Sequence, residues 1–113
     1  MTLREFSGYE TNIRLTREQV EAIKACFQKA FPTGDGLWIF ASRVDMNAKG
    51  GDIDLYVETS IQDATKINKM HRDFFWALQE ALGEQKIDIV INTGGDFKIA
   101  IYDVAKREGI RLI

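Results

Sequence analysis

The fold is decided by residues 51–58, Gly51-Asp52-Ile53-Asp54-Leu55-Tyr56-Val57-Glu58. From Asp52 onward the aliphatic residues alternate with period two, which is the pattern of a β-strand with one buried face. This alternation places the three aliphatic side chains on one face and Asp52, Asp54, Tyr56 and Glu58 on the other. The stretch therefore predicts a strand that packs against a core on one side and presents a pair of carboxylates on the other.

A long amphipathic helix is predicted directly after this strand and ends near Gly83. Its apolar residues keep helical spacing over about twenty residues, and they are Ile61, Ala64, Ile67, Met70, Phe74, Leu78 and Ala81. Phe75 and Trp76 flank this stripe and are interpreted as packing residues. His71 is interpreted as a packing histidine because it lies beside Met70 and Phe74, and the chain has no second histidine to complete a metal pair.

Upstream, the sequence predicts one helix and one buried strand. Thr16 and Gln19 fit a capping box, and apolar residues at helical spacing follow until Pro32 ends the helix. Cys26, the only cysteine, lies on that apolar pattern and is expected to be a small core residue. Residues Leu37–Phe40 form a short, wholly apolar run that is typical of a buried strand.

Downstream, the sequence predicts a third strand and a last helix. The strand is expected over Ile87–Asn92, with Asp88 on its polar face. The helix is expected roughly from Phe97 to Glu108, with Gly109 as the residue that ends it. The order of elements is then helix, strand, strand, helix, strand, helix. This order predicts an α+β fold, a small mixed β-sheet with helices on one face and the other face free for chemistry.

Composition and length limit the class of protein. At 113 residues, a single domain spanning 1–113 is expected. The net charge of −2 gives no broad surface for nucleic acid. No apolar run approaches the roughly 20 residues that cross a membrane, and Met1–Gly8 lack the features of a signal peptide. The sequence therefore predicts a cytoplasmic protein.

The paired aspartates suggest a metal site. Asp52 and Asp54 point the same way from one strand, with Cα atoms about 6 to 7 Å apart. Magnesium prefers oxygen ligands and is commonly bound by one or two carboxylates plus substrate phosphates, so the pair suits a magnesium–nucleotide complex better than zinc. Polar residues on the solvent face of an ordinary strand produce the same pattern, so a pair without function remains an alternative.

The surroundings of this pair resemble a known family. Phe40-Ala41-Ser42-Arg43, a polar segment and then Gly51–Leu55 are similar to the signature of the DNA polymerase beta-like nucleotidyltransferase superfamily, in which a Gly-Ser pair precedes an Asp-x-Asp pair. Asp88 stands where the family has a third acid. The ending Ala105–Ile113 also resembles that of small stand-alone members. The whole chain is similar to the minimal nucleotidyltransferase branch of the superfamily.

The resemblance implies a chemistry and the residues that perform it. Asp52, Asp54 and Asp88 would be the catalytic residues and would ligate magnesium, with two ions expected. Ala41, Ser42 and Arg43 would form the nucleotide-binding segment. The expected reaction is transfer of a nucleoside monophosphate, AMP from ATP, to a hydroxyl acceptor.

The resemblance also implies a partner. The minimal nucleotidyltransferases that this chain resembles form one half of a two-protein system, whose other half is a small helical protein of the HEPN toxin type. They can act as antitoxins by transferring AMP to a tyrosine hydroxyl of the toxin. A homo-oligomer is the alternative assembly. Transfer to a small molecule, as in aminoglycoside-modifying relatives, is also open.

One residue departs from the family pattern. Ala41 stands where the family has a glycine, and its methyl group disfavours a positive φ and a close approach of the backbone to phosphate. An alternative function is therefore a nucleotide-binding or partner-binding module with weak or absent catalysis. A third possibility is a mixed-sheet interaction domain whose acids have no ligand.

Overall fold

The computed structural model of the protein describes residues 15–40, 53–94 and 100–113. Within these residues, three helices and four strands follow one another along the chain. The helices are α1 (Arg17–Ala30), α2 (Ala64–Leu82) and α3 (Ala100–Glu108), and the strands are β1 (Gly36–Phe40), β2 (Ile53–Glu58), β3 (Ile87–Asn92) and β4 (Ile110–Arg111). The prediction of an α+β fold with a small mixed sheet is confirmed.

The four strands form one sheet in the order β3-β2-β1-β4. β1 pairs antiparallel with both β2 and β4. β2 and β3 are parallel, because α2 carries the chain back to the end of the sheet at which β2 begins. The two-residue strand β4 was not predicted from the sequence; Ile39 pairs with its Ile110.

The start of α1 and both ends of α2 have local chemical causes. Thr16 caps α1 with the predicted capping box, since its hydroxyl accepts from the amide of Gln19 and the Gln19 side chain accepts from the amide of Thr16. Asp63 caps α2 by accepting from the amide of Thr65. α2 ends at Gly83, whose φ of +85° is a conformation that glycine adopts readily.

The main core lies between one face of the sheet and helices α1 and α2. Phe27 stacks on Phe31 with ring centroids 4.8 Å apart, and Phe74 of α2 meets both rings edge-on. Leu55 and Val57 of β2 are fully buried in the same cluster. Cys26 also lies in this core, as predicted, and its burial raises the pKa of the thiol.

The prediction that the helices lie on one face of the sheet is corrected by the position of α3. This helix does not join the others but covers part of the opposite face, where Ala105 and Tyr102 pack against Trp38 and Tyr56. The physical reason is that β1 is apolar on both faces, so the outward-facing Trp38 and Phe40 also need cover. Among the described residues, no helix is both long and apolar enough to cross a membrane.

Candidate functional site

Two of the three predicted catalytic acids are brought side by side by the sheet. Asp54 of β2 and Asp88 of β3 are partners in the parallel ladder, one strand spacing of about 4.8 Å apart. Both point away from the main core, because their neighbours Leu55 and Ile89 pack into it. Asp54 is half-buried and Asp88 is exposed. The structure therefore presents two carboxylates together on the face opposite α1 and α2.

The other predicted site residues lie outside the described residues. These are the metal-ligand candidate Asp52 and the nucleotide-binding candidates Ala41, Ser42 and Arg43. The described residues that flank them in the sequence are Phe40 and Ile53. Phe40 pairs with Asp54 across the antiparallel ladder, so the end of β1 lies directly beside the acid pair.

An open pocket of about 500 Å³ lies beside the two acids. β3 is an edge strand, and the pocket runs around that edge from the face that carries the two acids to His71 and Phe75 of α2. Its lining residues are Phe40, Asp54, His71, Phe75, Ile87, Asp88, Ile89 and Val90. The lining is mostly apolar, and its polar side chains are the two carboxylates and His71. Such a pocket suits a ligand with an apolar body and one polar end.

His71 and Phe75 were not predicted to be near the acids. His71 is half-buried and Phe75 packs partly on the main core, as expected of packing residues, yet both also form the pocket wall. The signal in the sequence is their spacing of four residues, which places them on the same side of α2. What the sequence does not give is the rotation of α2 over the sheet, which turns that side toward β3.

The acid pair fits magnesium as part of a larger donor set. Among the described residues, no group of three or more acidic, histidine or cysteine side chains could hold a metal ion. Two carboxylates with phosphate oxygens from a substrate are a common arrangement for magnesium, which retains part of its water shell. The donor set of Asp54 and Asp88 therefore fits magnesium that arrives with a nucleotide, and fits poorly a metal bound by protein alone.

A hydrogen-bonded cluster fixes β2 against β3 on the same face. The buried Tyr56 hydroxyl donates to Glu58 Oε2 at 2.7 Å and accepts from Asn92 Nδ2 at 3.0 Å. Lys106 of α3 lies 3.2 Å from the same Glu58 oxygen. Burial raises the pKa of Tyr56 well above its ordinary value; the bond from Asn92 opposes this shift and the bond to Glu58 adds to it. Because the cluster joins the two parallel strands, it helps to hold the register that pairs Asp54 with Asp88.

A larger open pocket, of about 620 Å³, lies at the other end of β2 and β3. Its wall includes Glu58 and Asn92, each four positions beyond an acid of the pair and so about 13 Å away at 3.3 Å per residue. Glu58 is already paired with Tyr56 and Lys106. The smaller pocket is therefore the better candidate, because it contains the two carboxylates that the ladder brings together.

Comparison with known proteins adds no family to this description. Neither the known family models nor the curated proteins give a match to this chain, so the functional proposal rests on the residues of the site.

Proposed function

We propose that this protein is a magnesium-dependent nucleotidyltransferase of the minimal type, which transfers AMP from ATP to a hydroxyl acceptor. The observation that supports it best is the register of β2 and β3, in which Asp54 lies beside Asp88. Phe40, the last residue of β1, also lies beside Asp54. In the sequence it is followed by Ala41-Ser42-Arg43, the segment that resembles the family's nucleotide-binding signature. Strand alternation alone does not require that Phe40, Asp54 and Asp88 become neighbours across three strands.

The proposed reaction assigns a role to each acid. Asp54 and Asp88, with Asp52, would hold two magnesium ions that neutralise charge on the phosphates and on the departing pyrophosphate. Asp88, the exposed acid, orients the acceptor hydroxyl, and one of its carboxylate oxygens takes up the hydroxyl proton. The acceptor oxygen forms a bond to the α-phosphorus, and the bond from that phosphorus to pyrophosphate breaks. Ser42 and Arg43 would contact the phosphates.

The lining of the pocket favours an aromatic hydroxyl as the acceptor. Phe75, Ile87 and Ile89 offer apolar surface to a flat ring whose hydroxyl points toward Asp88. An aminoglycoside carries many hydroxyl and amino groups that these side chains leave without hydrogen bonds. We therefore propose a tyrosine on a small helical partner protein of the HEPN type, in the cytoplasm, with this chain as the antitoxin.

Binding is tested by titrating the purified protein with ATP in the presence and absence of magnesium. We expect binding that needs magnesium and falls at least tenfold in Asp54→Asn and in Asp88→Asn. The matched control is Asp103→Asn, which removes an exposed carboxylate from α3, outside the pocket lining. Binding that does not depend on magnesium, or that is equal in all variants, would contradict the proposal.

A second candidate function is suggested by Ala41, which replaces the family's glycine. In this alternative the protein binds the nucleotide or its partner but turns over slowly or not at all. Pyrophosphate release in the presence of a tyrosine-containing acceptor separates the two. Transfer by the wild-type chain supports the enzyme, whereas binding without release, together with release by Ala41→Gly, supports the module.

A further inference from the structure

Trp76 is the exposed large hydrophobic side chain among the described residues. It lies on α2 with 60% of its surface exposed, although the sequence predicts that it packs. Its ring meets the ring of Phe75 edge-on, with centroids 5.3 Å apart. A tryptophan in this position leaves a large apolar area in water, which is typical of a surface that binds another protein.

The residues on either side of Trp76 carry opposite charges. Arg72 lies four residues before it and Glu80 four residues after it, so the three form one stripe along the outer side of α2. We call Arg72, Trp76 and Glu80 the α2 stripe. Arg72 Nε is 3.9 Å from Asp73 Oδ1 in an exposed and therefore weak pair. Within the described part of the chain, Glu80 has no ion-pair partner.

We infer that the α2 stripe is a self-complementary surface on which a second copy of this chain docks about a two-fold axis that passes between the two Trp76 side chains. If two α2 helices pack antiparallel about that axis, each Arg72 lies opposite the Glu80 of the other copy. Both residues are about 6 Å along the helix from the axis, at 1.5 Å per residue. The contact then contains a central tryptophan pair between two intermolecular ion pairs, which is the form that a two-fold interface requires.

The surface beside the stripe offers space for the tryptophan of the other copy. An open pocket of about 480 Å³ lies next to Trp76. It is lined by Phe75, Trp76, Gln79, Glu84, Gln85 and Lys86. An exposed aromatic residue beside an open pocket on the same surface allows each copy to place its own Trp76 against the pocket of the other.

The symmetry of the charges selects a second copy as the occupant. Arg72 and Glu80 carry opposite charges at equal distances from Trp76, so the stripe is complementary to an antiparallel copy of itself. Phe75 belongs both to this pocket and to the pocket that contains Asp54 and Asp88. The docked copy therefore lies along the wall of the candidate site. The dimer does not depend on the proposed function.

The experiment is sedimentation equilibrium of the whole chain and of variants in the α2 stripe. Wild type is expected to dimerise. Arg72→Glu places two glutamates opposite each other, and Glu80→Arg places two arginines opposite each other, so each variant is expected to raise the dimer dissociation constant by about tenfold or more. The double variant Arg72→Glu with Glu80→Arg restores opposite charges and is expected to dimerise like wild type.

Matched controls separate the stripe from charge in general. Arg107→Glu reverses an exposed charge on α3 and is expected to leave the dimer unchanged. Trp76→Ala is expected to abolish it while leaving the far-ultraviolet circular dichroism spectrum unchanged, because the side chain is largely exposed. A wild-type chain that remains monomeric at millimolar concentration overturns the proposal. A dimer that is insensitive to Trp76→Ala, or that the double variant does not restore, also overturns it.

Discussion

At the scale of single residues, Gly109 lies where the backbone leaves α3 for β4. The sequence places it correctly as the residue after the helix, but for a different physical reason. Its φ is not among the positive values of the described glycines, which are Gly34, Gly83 and Gly94. Instead, a Cβ atom at Gly109 would lie 2.3 Å from the carbonyl oxygen of Ala105 and 2.9 Å from that of Ile39.

We therefore expect Gly109→Ala to destabilise the fold by overpacking, by about 1–3 kcal/mol. The added methyl group must push two backbone carbonyls apart, one in α3 and one in β1. Urea unfolding at neutral pH measures the loss. The neighbouring Glu108→Ala is the control, because its side chain is exposed and should change the free energy of unfolding by less than about 0.5 kcal/mol. Equal stability of the two variants would show that no such close approach exists.

The buried hydroxyl of Tyr56 makes stability depend on alkaline pH. Burial, its largest cause, raises the pKa of folded Tyr56 above the ordinary value of 10.0, which the unfolded chain retains. The contribution of Tyr56 to stability is thus fully present below pH 10 and is lost as the pH rises through the raised pKa. We expect the free energy of unfolding to fall as the pH rises above 10 in wild type and to fall less in Tyr56→Phe.

The Tyr56→Phe variant is also expected to lose about 1 kcal/mol at pH 7, because Glu58 and Asn92 lose a hydrogen-bond partner. Tyr102→Phe is the matched control, since it removes the hydroxyl of a tyrosine that packs beside Tyr56 and leaves the bonds of Glu58 and Asn92 in place. If Tyr56→Phe follows the alkaline curve of wild type, another group causes the decline.

At the scale of elements, the capping box of α1 is the sequence signal with the most direct structural counterpart. The Thr16 hydroxyl accepts from the Gln19 amide at 3.0 Å, and the Gln19 side chain accepts from the Thr16 amide at 2.8 Å. Thr16→Ala removes the first of these bonds and is expected to reduce stability by about 1 kcal/mol. Urea unfolding measures it beside Thr65→Ala, a threonine of α2 whose amide, not its hydroxyl, is the capped group. A loss no larger than that of Thr65→Ala would contradict the role of the cap.

Elements were predictable where burial follows a local period. The predicted alternation over residues 52–58 and the predicted helical spacing from Ile61 to a stop near Gly83 give β2 and α2 to within about three residues of the observed bounds. The position of α3 was not predictable in the same way, because a helix stripe does not specify which face of the sheet it covers. The apolar run of β1 does contain the missing signal, since Trp38 and Phe40 are buried opposite Leu37 and Ile39.

The candidate site was predictable only in part, for a related reason. The direction of Asp54 follows from strand alternation, but its adjacency to Asp88 depends on a parallel pairing that the intervening helix creates. The family resemblance, not the local pattern, selected Asp88. His71 and Phe75 were missed because their approach to β3 depends on how α2 lies across the sheet.

At the scale of the whole molecule, the acid pair connects ligand binding to stability. A ligand that binds only the folded state stabilises it, by about 2.7 kcal/mol at 100 times its dissociation constant. For a domain of this size we expect magnesium with ATP to raise the melting temperature by about 10 °C. Magnesium or ATP alone should give a smaller shift, since the two carboxylates need the phosphates to complete the metal's ligands. An unchanged melting curve would contradict the nucleotide site.

The same pair predicts opposite effects of one substitution on stability and on binding. Without ligand, Asp54 and Asp88 are like charges on neighbouring strands, and such pairs are destabilising by roughly 0.5 kcal/mol. Asp88→Asn removes that repulsion at an exposed position, so the ligand-free variant is expected to melt at or slightly above the temperature of wild type while its magnesium–ATP shift disappears. Asp103→Asn, on α3, should change neither quantity. An acid that is retained for a ligand is expected to weaken the fold that presents it. If Asp88→Asn instead melts at a lower temperature than wild type and keeps the magnesium–ATP shift in melting temperature, Asp88 is a structural residue.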